Sequence, residues 1–243
     1  MATEATVNGQ TVIRSDLYTH RWCDAYGPDV CKYVEHFVDT AFAGADSPAA
    51  YTTTLIENGA DESTVALVAG SPNGAIAFKS DENDNDGCQS QLKGEAFYLA
   101  SMYPTYMGAR FKVSDATNSD LIVGLAITDT TLLGGLSDGI YFRKDEDDTT
   151  LYLVAEKNSL ETKIGLTTMA DDTYVVAEAL YQNSVVDLYI NGTKVAELAN
   201  SDPNFPDDEY LTPSMGILAG AAAVGGKTLT VDWFNVIQIQ STG

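Results

Sequence analysis

The stretch Asp187-Leu-Tyr-Ile190, Asn191-Gly192, Thr193-Lys-Val-Ala-Glu-Leu198 decides the fold class. Apolar and polar residues alternate on both sides of the Asn-Gly pair. Alternation with a period of two puts one face of a strand on a core. Asn and Gly tolerate the positive φ that both central positions of a two-residue turn require. The stretch is therefore expected to be a β-hairpin with Asn191-Gly192 at its tip.

The same pattern spreads outward from it. Asn8-Gly9, Asn58-Gly59 and Asn73-Gly74 repeat the turn signal within strand-like sequence. Strands are expected over 51–57, 64–69, 75–79, 110–114, 121–128, 139–143, 151–156, 174–181, 215–219 and 228–239. The apolar run 121–128 reads as a strand covered on both faces. The acidic turn 144–148 separates two of these strands. Helix signals are weak. The one rival, 170–181, contains Thr173-Tyr-Val-Val176 and is assigned to strand on its β-branched content. Short, regular spacing between turns favours a sandwich or barrel over β-α-β units. The part before Tyr33 reads differently, holding Gly27-Pro28, both histidines and two of the three cysteines. It is expected to form an N-terminal arm or added hairpin over 1–32, followed by one sandwich domain over 33–243.

Composition narrows the partners. The chain has 243 residues, 13 Lys plus Arg against 35 Asp plus Glu, and a formal net charge of -22. Such a surface repels phosphate backbones and anionic lipid, which argues against nucleic acid and membrane partners. No apolar run approaches membrane-spanning length. The opening residues lack a basic stretch followed by an apolar core, and the three cysteines are too few for a disulfide scaffold. A cytoplasmic site of folding is the expectation.

Candidate chemistry is sparse. Sandwich glucanases carry their acids in a Glu-x-Asp-x-x-Glu pattern on one strand. The nearest match, Glu146-Asp147-Asp148-Thr149-Thr150-Leu151, has Leu151 where the third acid belongs and reads as a solvated turn. There is no Gly-x-Ser-x-Gly elbow and no phosphate loop. Asp81-Glu-Asn-Asp-Asn-Asp-Gly87 is rich in oxygen ligands, and Asp84 and Asp86 are candidate calcium ligands. Lys93 stands where an EF-hand would place its last acid, so the loop is not one. His20, Cys23, Cys31 and His36 form a candidate zinc set, with His20-x2-Cys23 a good spacer. No cofactor is otherwise expected.

A family resemblance follows from four segments. These are Tyr33-Val-Glu-His-Phe37, Ala109-Arg-Phe-Lys-Val-Ser-Asp115, the hairpin 187–194, and Leu229-Thr-Val-Asp-Trp-Phe-Asn-Val236. From about Tyr33 the chain resembles a concanavalin A-like (laminin G-like) jelly-roll sandwich. In its acidic, Thr- and Gly-rich style it also resembles bacteriophage virion proteins of that fold. The resemblance implies an all-β antiparallel jelly roll and no catalytic residues. It also implies a non-enzymatic virion role, as a capsid decoration protein bound to other virion subunits and assembled in the host cytoplasm. The alternative it implies is a lectin-like carbohydrate-binding module with a glycan partner. The 1–32 arm is far less acidic than the rest. Its Leu17, Tyr18, Trp22 and Tyr26 are aromatic and apolar types enriched at interfaces. They are expected to anchor the chain to a partner subunit or to further copies of itself.

Overall fold

The computed structural model describes residues 2–38, 50–57, 63–100, 102–220 and 225–240. Among them the regular structure is entirely β. The arm supplies β1 (Ala2–Val7), β2 (Gln10–Ser15), β3 (Trp22–Tyr26) and β4 (Val30–Glu35). Then come β5 (Tyr51–Ile56), β6 (Thr64–Leu67), β7 (Ile76–Lys79), β8 (Gly87–Leu92) and β9 (Phe97–Tyr98). The long central strands are β10 (Thr105–Val113), β11 (Ser119–Ala126), β12 (Gly139–Lys144), β13 (Thr150–Lys157) and β14 (Leu160–Thr168). The chain closes with β15 (Val175–Gln182), β16 (Val185–Ile190), β17 (Thr193–Ala199), β18 (Tyr210–Ala219) and β19 (Thr228–Ile239).

Two antiparallel sheets of eight strands face each other. The first has the order β17-β16-β15-β10-β19-β7-β6, with β4 also on β19. The second has the order β14-β13-β12-β11-β18-β8-β5, with β9 on β18. Consecutive strands switch sheets between β10 and β11 and again between β14 and β15, so each sheet is built from distant parts of the chain. Alternation does the rest. In β10, Met107, Ala109, Phe111 and Val113 are buried in the core between the sheets; in β11, Leu121, Val123 and Leu125 meet them. The all-β sandwich expected from sequence is what forms.

The 187–198 hairpin forms as read, with Ile190 opposite Thr193. Gly192 has φ +83, and an added Cβ would sit 2.1 Å from the Tyr18 ring. Its glycine is thus required by turn geometry and by the arm that packs on the tip. The 170–181 rival resolves as strand β15. The pair Asn58-Gly59 lies outside the described residues.

The arm is not a separate attachment. β1, β2 and β3 make a small sheet, whose Val12, Trp22 and Ala25 share a core with Tyr106, Ile237 and Ile239 on the outer face of the first sheet. The boundary expected at 32/33 falls inside β4, which pairs with β19 from Val30 to Glu35. Outside the arm, three strands, β8, β9 and β14, were not anticipated. β8 and β14 are the largest of these, and β8 is polar because its side chains serve another segment.

Candidate functional site

That segment is the connection 127–138 between β11 and β12. It lies over the outer face of the second sheet and buries Leu132 and Leu136 against Ile122, Ala126, Tyr141 and Val154. Two glutamines of β8 pin it. Gln91 donates to the Ile127 carbonyl at 3.0 Å and accepts from the Asp129 amide at 2.9 Å. Gln89 donates to the Asp129 carbonyl at 2.8 Å and accepts from the Leu132 amide at 2.9 Å. Each side-chain amide thus does what a backbone peptide would do in a ladder, satisfying a loop that covers a sheet.

Beside this covered area the sheet is open. A hollow of about 290 Å³ is lined by Asp120 of β11, Tyr141 and Arg143 of β12, Asp145, Glu156 of β13, and the loop residues Leu132, Leu133, Gly135 and Leu136. Strand register explains the grouping. Odd positions of β12 face outward, and Gly139 lies opposite Glu156. Gly139 has no side chain, and an added Cβ would fall 2.9 Å from the Tyr141 ring, so the glycine leaves that ring its place beside Glu156. The Tyr141 hydroxyl donates a very short hydrogen bond to Glu156 Oε2. Tyr141 is only 1% exposed, so it forms the floor and holds the carboxyl.

The next strand adds a second acid. Glu161 of β14 lies directly opposite Glu156 in the ladder. Arg143 bridges toward it, with Nη1 at 2.7 Å and Nη2 at 3.1 Å from the two Glu161 oxygens, and its Nε is 2.8 Å from Asp145.

Burial and charge set the protonation. Burial pushes the Glu156 carboxyl up, the Tyr141 hydroxyl opposes this, and the charges of Glu161 and Asp138 add to it. Burial likewise pushes up Asp120, against the hydrogen bond from the Glu146 amide, and the Glu146 charge reinforces the rise. The Tyr141 phenol is pushed up by burial and by its bond to Glu156. Burial works against Arg143, but Glu161 and Asp145 outweigh it and hold the guanidinium firmly charged. The hollow is a polar recess rich in hydrogen-bond acceptors, with one fixed cation.

Sequence reasoning found none of these residues as a site, because the register across four strands, β11 to β14, assembles them. It did read the neighbouring Glu146-Asp147-Asp148 as a turn, and a turn it is. Asp148 accepts from the Thr150 amide at 2.8 Å and from the Tyr152 hydroxyl at 2.6 Å.

The expected metal sites are not assembled. Among the described residues no group of three or more His, Cys, Asp or Glu side chains is placed to hold a metal ion. His20 reaches Glu178 at 3.2 Å and stacks on Tyr189. Cys23 is exposed on β3, and Cys31 on β4 points its thiol at the Ala96 carbonyl. His36 sits beyond the end of β4, near Asn73 and Trp233. His20 and Cys23 thus share the neighbourhood of Glu178, while Cys31 and His36 have other surroundings, and the four do not close on one metal position. Asp86 is fully buried, and Asn83 bonds both it and Asp81, so these acids stabilise the turn into β8. Asp84 is exposed.

Of the expected partner contacts, Trp22 is fully buried and stacks near Tyr106, so it has no surface to offer. The reason is that the arm packs its aromatic residue on its own sandwich. Tyr18 is partly covered by its contact with Gly192. Leu17 and Tyr26 stand at the surface, 78% and 57% exposed.

No family model matches the chain, and no curated protein matches it. Solved structures do share its fold. An endo-1,3-β-glucanase from Streptomyces sioyaensis is 10% identical, with 90% of this chain and all of that one covered at a TM-score of 0.63. A Bacteroides ovatus GH16 protein of a mixed-linkage glucan locus, in complex with an oligosaccharide product, is 10% identical over 84% of this chain and 99% of that one, at a TM-score of 0.57. The carbohydrate recognition domain of Emp46p is 11% identical over 77% and 88%, at a TM-score of 0.53. At these identities the likeness establishes the fold, an antiparallel concanavalin A-like jelly roll. It overturns two expectations. The reading as a non-enzymatic capsid decoration protein gives way, because the fold is shared along most of the chain with glycan-hydrolysing and glycan-recognising proteins. The exclusion of an enzyme falls for the same reason.

Proposed function

We propose that the chain is a carbohydrate-binding domain whose glycan seats in the recess of Asp120, Arg143, Asp145 and Glu156. The observation that carries this reading is the set of carboxylates and one guanidinium converging on a single hollow beside an apolar wall of leucines. Sugar hydroxyls donate to carboxylates and accept from guanidinium N–H groups, while pyranose C–H faces suit an apolar wall. Calorimetry with a β-1,3-linked glucohexaose tests it. Binding that Arg143→Ala and Glu156→Gln each weaken is expected. Binding indifferent to both, or none, overturns the site.

One observation favours hydrolysis as a second reading. Glu156 and Glu161 are cross-strand neighbours, a relationship that places Cβ atoms about 4.5–5.5 Å apart. Glycoside hydrolysis needs two carboxyl groups roughly 5–10 Å apart, one of them keeping its proton to protonate the departing oxygen. Burial fits Glu156 for that donor role, and Glu161, paired with Arg143, faces it as the carboxylate. Asp120 is no partner for Glu156. It lies one position beyond Leu121, which pairs with Lys144, whereas Glu156 pairs with Gly139, so the two acids stand at opposite ends of the hollow rather than as cross-strand neighbours. Release of reducing ends from a β-1,3-glucan, abolished in Glu156→Gln and in Glu161→Gln, is the expected result.

A further inference from the structure

The first sheet carries a second hollow on its own outer face, far from the recess above. It measures about 500 Å³ and is lined, among the described residues, by His36, Val38, Asn73, Arg110, Asp232 and Trp233. Strict alternation along β19 would turn either Asp232 or Trp233 inward. A β-bulge prevents this. Arg110 pairs with Trp233 and Phe111 with Val231, which leaves Asp232 as the extra residue. Both side chains then face outward beside Arg110, while Val231 and Phe234 stay fully buried. Bulges re-aim side chains in this way at the expense of local ladder pairing.

The other wall is also built by close approach. Gly74 has φ +84, and an added Cβ would fall 2.3 Å from the His36 carbonyl oxygen. The turn carrying Asn73 is therefore pressed against the end of β4, which sets Asn73 and His36 side by side.

The chemistry of this hollow is balanced. Arg110 is ion-paired with Asp232, and its guanidinium lies 3.8 Å over the Tyr174 ring. Arg21, also near the Trp233 ring, spends its charge on Glu178. A joined Arg–Asp pair offers donors and acceptors together without a net charge, and the Asn73 amide offers the same. That pattern matches vicinal hydroxyls, each of which both donates and accepts. An indole beside it matches the C–H face of a pyranose.

We infer that this hollow is a second saccharide site, selective for a neutral hexopyranose unit that lies against Trp233. The inference rests on the reading of the chain as glycan-binding. The two sites are on opposite sheets, so each can fail alone.

The chain has two tryptophans, and Trp22 is fully buried. A change in tryptophan emission on adding sugar therefore reports on Trp233. With a β-1,3-linked glucohexaose, a saturable emission shift is expected, together with two sites by calorimetry. Trp233→Ala and Asn73→Asp should each weaken one site about tenfold or more. Arg143→Ala should leave that site and its emission shift unchanged. Asn73 stands on an exposed turn, so Asn73→Asp keeps the test valid if Trp233→Ala fails to fold. Heat lost in Arg143→Ala with no emission shift would refute the second site and spare the first. An emission shift with one site indifferent to Arg143→Ala would refute the first and support the second. Neither heat nor shift refutes both. Tighter binding of a glucuronate oligomer of equal length would overturn the assignment to neutral sugar.

Discussion

The guanidinium of Arg21 grips the carboxylate of Glu178 through two hydrogen bonds, Nε to Oε1 at 2.6 Å and Nη2 to Oε2 at 2.8 Å. Arg21 belongs to the arm and Glu178 to β15, so this pair ties the small sheet to the large one. Glu178 is fully buried and also receives the Tyr106 hydroxyl at 2.8 Å. Burial alone would push its carboxyl up. The bonds from Arg21 and His20 outweigh it and bring the carboxyl down to about 2.

Removing one partner leaves the other charge buried without its mate. Arg21→Met should therefore cost roughly 3–5 kcal/mol in a denaturant titration. The same pair gives a pH signature. A carboxyl held below its ordinary value stabilises the fold above the ordinary carboxylate range and loses that contribution as pH falls toward about 2. Between pH 5 and pH 2 the wild type should lose more stability than Glu178→Gln. Parallel loss in both would remove Glu178 as the cause.

Glu156 has the opposite sign. Its carboxyl is raised by burial, so the folded chain holds that proton more tightly than the unfolded chain does. Its ionisation weakens the fold as pH rises through the raised value. Tyr141→Phe removes the one hydroxyl that opposes the rise and should cost about 1–3 kcal/mol at neutral pH. The penalty should shrink on acidification, which thermal melts across pH 4 to 8 would reveal.

The 127–138 connection depends on Gln89 and Gln91. Alanine at both positions strips four hydrogen bonds from it. The expected outcome is protease nicking within 127–138 while the rest of the chain resists. Leu132→Ala, which opens the apolar seat of the loop, should cost about 2–3 kcal/mol. Unchanged proteolysis would show that burial of the leucines alone holds the loop.

At the hairpin tip, Gly192→Ala meets both a positive φ and the Tyr18 ring. A loss of more than about 1 kcal/mol is expected. Adding Tyr18→Ala should recover part of it, because only the steric component is shared between the two positions. Full additivity of the two losses would rule that contact out.

What the sequence disclosed follows from how local its signals are. Ile190, Asn191, Gly192 and Thr193 declare a hairpin because the turn needs those residues and little else. Gly87–Leu92 declares nothing, because Gln89 and Gln91 face outward to a segment some forty residues away. Asp84 and Asp86 resemble calcium ligands since turns and cation sites draw on the same oxygens. Trp22 looks like an interface residue since an aromatic ring buries equally well against its own fold. Tyr141, Arg143, Glu156 and Glu161 are ordinary strand residues until β12, β13 and β14 lie side by side, and register is a property of the folded sheet.

The 127–138 connection has a further consequence. It rests on the outside of a sheet whose inner face is packed independently, so the jelly roll does not need it to close. Depth, width and polarity of the recess can therefore change by exchanging this one insert, with Gln89 and Gln91 as its sockets, while the scaffold stays intact. A chain built this way can acquire a new ligand preference by editing about a dozen contiguous residues.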